Sequence, residues 1–193
     1  MAFGLEDARL NPGGLLAAGS RQENAIAAAA YVAETGKDWL AARQIVDSVF
    51  ADADRYCQRK AEETPLFSGA LELLQRLAAA GIKLGILSAD MTENVKDFVH
   101  QYALEPYIQC QLGGDSGFVK PDPKFFEQAC RALGVEPGQA MMVGDTELDF
   151  EMAQAAGAAG CIGASWGWTI PPVLDRADAI ASQYNDIQVI NKN

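Results

Sequence analysis

Four residues of the chain could do chemistry together: Ser88 at the end of "KLGILS", Lys120 in "GFVKPDP", and Asp145 and Asp149 in "MMVGDTELDFEMAQAAG". A hydroxyl can hydrogen-bond a phosphoryl oxygen, an ammonium can neutralise charge developing on it, and carboxylates can hold a small hard divalent cation. Those are the needs of phosphoryl transfer, where positioning and charge neutralisation carry most of the catalysis. Each residue also has an ordinary structural use. Ser88 could cap a helix, Lys120 before Pro121 could be an exposed turn residue, and acids in a first helical turn offset the positive end of the helix dipole. Their order and their common placement at strand ends favour the chemical use. A calcium loop is excluded, because "DTELDFEMAQAA" has Phe150 where such a loop needs Gly and Ala156 where it needs Glu.

The elements that must position these residues alternate regularly. An amphipathic helix "ALELLQRLAAAGI" stops at Gly81 and leads into the apolar run "KLGILS". A helix from Thr92 to about Tyr102 follows, then "YIQCQLG" as a strand, a helix over Pro123 to Leu133, and "AMMVGD" as another strand. A helix from about Glu147 to Ala156 and the strand "AAGCIGA" come next, before a closing "ADAIASQYNDI". Strands alternating with helices of this length predict an α/β fold with a doubly wound parallel sheet. Its ligands belong beyond the carboxyl ends of the strands, which is where Ser88, Lys120 and Asp145 fall. Gly144 is expected to let its strand turn sharply there, and Gly113, Gly114 and Gly117 to bring backbone close to a ligand.

The first third reads differently. "SRQENAIAAAAYVAETG" predicts a helix capped by Ser20 and stopped at Gly36, with Ile26, Tyr31 and Val32 on its apolar faces. A second helix runs from Asp38 through "ADADRYCQRKAEE", with Leu40, Ile45, Val46, Val49 and Phe50 at helical spacing. The two are expected to form an antiparallel hairpin, and "TPLFSG" at 64 to 69 marks the domain boundary. The net charge of −11, without a Lys/Arg stripe, argues against nucleic acid as a partner. No apolar run is long enough to span a membrane, and the N-terminus has no signal-peptide pattern. Cys57, Cys110, Cys130 and Cys161 lack metal-binding spacing and are expected to be reduced, mostly buried cytoplasmic thiols. His100, the only histidine, falls on a helix away from any strand end, and Trp166 and Trp168 read as packing or cap contacts.

Residues 66 to 184 resemble the core of the haloacid dehalogenase-like hydrolase superfamily. "LFSGALELLQRLAAAGIKLGILSAD" is similar to its second motif region, which implies Ser88 as the phosphate-binding hydroxyl and Ala89 as a further substrate contact. "GFVKPDPKFFEQACRALGV" resembles the third, with Lys120 as the lysine that pairs with nucleophile and phosphate. "MMVGDTELDFEMAQAAGA" resembles the fourth, which implies Asp145 as a Mg2+ ligand and Asp149 as the second acid, close to the metal or the lysine. Residues 1 to 63 are similar in type to the helical cap of phosphoglycolate-phosphatase-like members, leaving 64 to 193 as the core. The resemblance implies a Mg2+-dependent hydrolase of small phosphate monoesters.

One family element is missing. The first motif, an apolar strand ending in Asp-x-Asp-Gly-Thr that supplies the nucleophile, has no match; the nearest stretch, "VFADADRYC" with Asp52 and Asp54, lacks the Gly-Thr turn and sits in a helical pattern. The sequence is therefore expected to begin inside the cap and to lack turnover by itself, since no phospho-aspartate could form. The resemblance places the missing strand between those ending at Ser88 and Asp145, so two strand edges should lie open in mid-sheet. Two other readings are a receiver-like phosphoacceptor domain, which "VKPDP" fits but the acid pair after the lysine does not, and a non-catalytic binding module on a decayed hydrolase core.

Overall fold

The structure, a computed structural model, describes residues 3–7, 9–56 and 60–190. A short antiparallel hairpin, β1 (Leu5–Glu6) and β2 (Arg9–Leu10), leads through a one-turn helix α1 (Leu15–Ala18) into the long hairpin of α2 (Arg21–Glu34) and α3 (Trp39–Tyr56). The cap of α2 is reciprocal: Ser20 accepts from the Glu23 backbone N–H, and the Glu23 carboxylate accepts from the Ser20 backbone N–H at 2.7 Å. Asp38 caps α3 by accepting from Ala41 N–H, and Gly36 makes the turn between them in the left-handed region at φ 92°.

The buried seam of this hairpin is built mainly from alanines. Ala25, Ala29, Ala42 and Val46 are buried, with Val32 and Phe50 packed beside them. Ile26, Tyr31, Leu40, Ile45 and Val49, expected on the apolar faces, are instead exposed. Small side chains let the two helices approach closely, and the larger apolar residues lie to the flanks of that narrow seam. Asp52 pairs with Arg55 at 2.8 Å, and Asp54 takes the Arg21 guanidinium with one contact at 3.0 Å. Both acids are thus held in surface ion pairs on a helix, far from the strand end a nucleophile motif requires. Cys57 lies outside the described residues.

A short helix α4 (Lys60–Glu63) and an extended linker lead to the α/β part. Its elements follow in order: α5 (Ala70–Ala79), β3 (Leu84–Leu87), α6 (Thr92–Gln101), β4 (Ile108–Leu112), α7 (Pro123–Leu133), β5 (Met141–Gly144), α8 (Glu147–Ala155), β6 (Gly160–Ala164) and β7 (Ala179–Ala181). All pairings among β3 to β7 are parallel, as βαβ crossovers require. They form two blocks, β3–β4 and β5–β6–β7, with no ladder between the blocks among the described residues. Among the described residues β3 and β5 each pair on one side only, and Met141 and Val143 of β5 are about half exposed. Helix α7 ties the blocks together by packing on β3, β4 and α8. Its Phe125, Phe126 and Cys130 join Met142, Phe150, Met152 and Cys161 in the main core, against which Leu87 and Leu112 of the first block also pack.

Cys110, Cys130 and Cys161 are free and buried. Burial pushes all three thiols above their ordinary value, so the reactive thiolate is scarce at neutral pH. Iodoacetamide is therefore expected to label these three only after denaturation, as read by mass spectrometry of native and unfolded samples.

Candidate active site

The loop after β5 and the first turn of α8 carry both acids. Asp145 follows the strand directly, Thr146 takes the extended N-cap position at φ −132°, and Asp149 is the third residue of the helix. Asp149 Oδ2 accepts from the Thr146 hydroxyl at 2.8 Å and from the Thr146 backbone N–H at 3.2 Å. Asp149 therefore does cap its own helix, reaching back to the residue that begins it.

Capping uses only one of its oxygens. The other, Oδ1, meets the Lys120 ammonium at 2.6 Å, with Asp149 1% and Lys120 17% exposed. The approach is too poorly directed to count as a hydrogen bond, which leaves a close Coulombic pair. Lys120 arrives from the loop between β4 and α7, where Phe118 packs against the main core and Asp122 N-caps α7 by accepting from Lys124 N–H at 2.9 Å. The Lys120–Pro121 peptide is cis. A buried carboxylate and a nearly buried ammonium from different loops are thus brought together, and both oxygens of Asp149 are engaged.

Gly144 serves this arrangement by its size. Its φ is not in the left-handed region, so the sharp turn expected there is not its role; a Cβ at Gly144 would lie 2.6 Å from the Cβ, Cγ and Oδ2 of Asp149. The absence of a side chain lets the acid sit against the strand end. Gly113 acts similarly elsewhere: a Cβ there would come within 2.2 Å of the Thr92 nitrogen. What approaches that glycine is the loop after β3, not a ligand as its sequence suggested. Gly114 N–H donates to Asp90 O at 2.8 Å, its Cβ position lies 3.0 Å from Ala89 O, and Asp115 accepts from both the hydroxyl and the N–H of Thr92, hydrogen bonds that hold its carboxyl below the ordinary range.

Asp145 stands apart from that pair. Its Oδ2 accepts from the Trp168 indole N–H at 2.9 Å. With Gly144, Val143, Leu10, Phe67, Ala164, Trp166, Gly167 and Trp168, it lines a cavity of about 410 Å³. Ser88 lines a different cavity of about 210 Å³ with Thr64, Asp90, Asn94 and Phe98, and its Oγ accepts from the Asp90 N–H at 3.1 Å. The expectation that Ser88 shares a cavity with the acids is therefore not met: Ser88 follows β3 and Asp145 follows β5, and among the described residues those strands belong to separate blocks. Sequence reasoning passes over Thr146 and reads Trp168 as a packing or cap contact, where the structure has its indole on Asp145. Trp168 lies just beyond β6, the direct neighbour of β5, so the strand-end rule that found Asp145 pointed equally to it. His100 is exposed on α6 beside Glu105 at 2.9 Å, away from these groups.

A family model for haloacid dehalogenase-like hydrolases matches residues 10–157. The chain belongs to the haloacid dehalogenase-like hydrolase family. Among its curated relatives, the phosphoglycolate phosphatase of Caulobacter vibrioides is 32% identical over 136 residues, 69% of this chain and 57% of that protein. The phosphoglycolate phosphatase of Salmonella typhi is 31% identical over 138 residues, covering 69% of this chain and 54% of the relative. The chain thus spans about half the length of the curated relatives it matches. A predicted phosphoglycolate phosphatase from Haemophilus somnus superposes with a TM-score of 0.65 at 25% identity, over 75% of this chain and 64% of the other. The haloacid dehalogenase-like phosphatase of Thermococcus onnurineus, at 20% identity, shares the fold with a TM-score of 0.63 over 84% of each chain.

Magnesium, the cation this family's resemblance implies, fits the donor chemistry in part. Asp145 offers an oxygen, Oδ1, that has no protein partner among the described residues. No group of three His, Cys, Asp or Glu side chains converges among the described residues, so water and phosphate oxygens would have to complete the shell. Asp149 is less suited, because Lys120 and Thr146 occupy it.

Proposed function

We propose that this chain carries the phosphate- and metal-binding half of a Mg2+-dependent hydrolase of small phosphate monoesters. The observation that carries the reading is the Lys120–Asp149 pair at 2.6 Å, with a second acid, Asp145, four residues before Asp149 and lining a cavity. A lysine paired with a buried acid is fixed in place, which is what neutralising a phosphoryl group asks of it. Asp145 would hold the cation through Oδ1, with Asp149 serving the lysine rather than the metal. The cation, when bound, would polarise a phosphoryl oxygen and orient the ester. Ser88 would donate its hydroxyl to the phosphate, with Ala89 beside it, once the two blocks are brought into register.

Residues 1 to 63 would act as a helical cap over the strand ends, and a covering cap favours small esters such as phosphoglycolate or sugar phosphates. The three buried thiols support a reducing, cytoplasmic setting. Turnover needs a nucleophile that these 193 residues do not carry in the family's motif form, so binding is the proper test of this chain. A calorimetric panel in Mg2+ should give saturable binding of small phosphomonoesters, without phosphate release. Preference for phosphoproteins or for nucleic acid ends would overturn the reading.

A further inference from the structure

We propose that the cavity beside Asp145 is a binding site for a small arylalkyl primary ammonium ion; it lies beyond the phosphate site and shares only Asp145 with it. Of the side chains that line this space of about 410 Å³, Asp145 alone is charged, and Leu10, Phe67, Val143, Trp166 and Trp168 make an apolar and aromatic wall. The volume falls in the range of small-molecule pockets. The wall is preformed. Trp166 packs on Tyr184 with ring centroids 4.5 Å apart, and Gly167, at φ +86°, lies so close to Phe67 that a Cβ there would be 3.0 Å from its Cζ. Phe67 is still 55% exposed and Val143 45%, so apolar surface is left for a ligand to cover.

The charge of the cavity selects the charge of its ligand. Trp168 N–H donates to Asp145 Oδ2 at 2.9 Å, which fixes the carboxylate and leaves Oδ1 without a protein partner among the described residues. No Lys or Arg stands on the wall, so an anion would meet only like charge. A divalent cation asks for several oxygens, and no second acid lines the space. One carboxylate does balance one ammonium. Such an ammonium has three donors: one can make a charge-assisted hydrogen bond to Oδ1, and the others can face water at the open side. The aryl group would pack on the aromatic wall, and aromatic faces attract an ammonium as well. An ammonium on Oδ1 and a metal ion there exclude each other.

The test is calorimetric titration of the full chain with phenethylammonium, first without Mg2+ or phosphate. Saturable binding is expected. Phenethyl alcohol and phenylacetate, the neutral and anionic counterparts of the same ring, should each bind at least about tenfold more weakly, the difference a charge-assisted hydrogen bond makes. Asp145→Asn should weaken phenethylammonium by about tenfold, with wild-type circular dichroism. Phe67→Ala, at a half-exposed position, should also weaken it without changing the order of the three ligands. Equal binding of the three ligands, or wild-type affinity in either variant, would overturn the proposal. Should Asp145→Asn fail to fold, the ligand series in the unmodified chain decides by itself. No phenethylammonium binding, beside phosphate binding that strengthens with Mg2+, would overturn this proposal alone. Phenethylammonium binding beside phosphate binding indifferent to Mg2+ would support it and leave Asp145 without a metal role.

Discussion

Replacing Lys120 with methionine is expected to destabilise the fold by about 3–5 kcal/mol, the usual cost of stripping a buried charge of its partner. Methionine keeps much of the stem's volume, so the loss isolates the ammonium. Asp149 would be left 1% exposed with Oδ1 facing no positive charge, and only the Thr146 contacts on Oδ2 would remain. The converse change, Asp149→Asn, should cost less, because Lys120 is 17% exposed and can turn its ammonium toward water. The double variant Lys120→Met/Asp149→Leu is expected to recover much of the loss, since a buried pair replaced by apolar side chains is often close to neutral. Urea midpoints of the four proteins in a double-mutant cycle measure this directly. Equal midpoints for the unmodified protein and Lys120→Met would mean that the pair does not form in solution.

The second large effect is expected from a single methyl group. Gly144→Ala puts a Cβ 2.6 Å from three atoms of Asp149, at the point where that side chain is held by Thr146 and Lys120 at once. Asp149 is buried and its Cβ as well as its carboxyl is met by the added methyl, so strand β5 and the start of α8 must separate. Overpacking of this kind costs about 1–3 kcal/mol. The upper end applies here, because the ion pair is strained together with the backbone. Thermal unfolding should register the loss, and phosphate binding should weaken more than stability alone explains, because Lys120 follows Asp149. A wild-type melting curve for Gly144→Ala would contradict the close approach on which the site is built.

Much of this architecture is legible in the sequence because its elements carry local stop and start signals. Helix α7 runs over Pro123–Leu133 as read, since Asp122 and Pro123 start it and Gly134, left-handed at φ 64°, ends it. The Ser20 cap of α2 and the strands ending at Leu87 and Gly144 follow from similarly local chemistry. Burial in the helical hairpin did not. Spacing makes Leu40, Ile45 and Val49 look like a core face, but the choice between them and Ala42 is made by how closely the partner helix approaches, which no single helix encodes.

The site divides in the same way. Lys120 and Asp149 could be associated because both flank strand ends and opposite charges in a low-dielectric setting attract. The gap between β3 and β5, which have no ladder between them among the described residues, is expected from the resemblance; that Ser88 and Asp145 then line different cavities is not. Trp168 escaped because an indole after a strand reads as packing, and its polar tip matters only when a carboxylate stands opposite.

The central claim, that Lys120, Asp149 and Asp145 form a cation-assisted phosphate site, is tested most directly by calorimetric titration of inorganic phosphate with and without Mg2+ into the unmodified chain and into folded Asp145→Asn. The account predicts saturable phosphate binding that strengthens with Mg2+ in the unmodified chain, and loss of that Mg2+ dependence in Asp145→Asn. Phosphate binding indifferent to Mg2+ and equal in both proteins would contradict it.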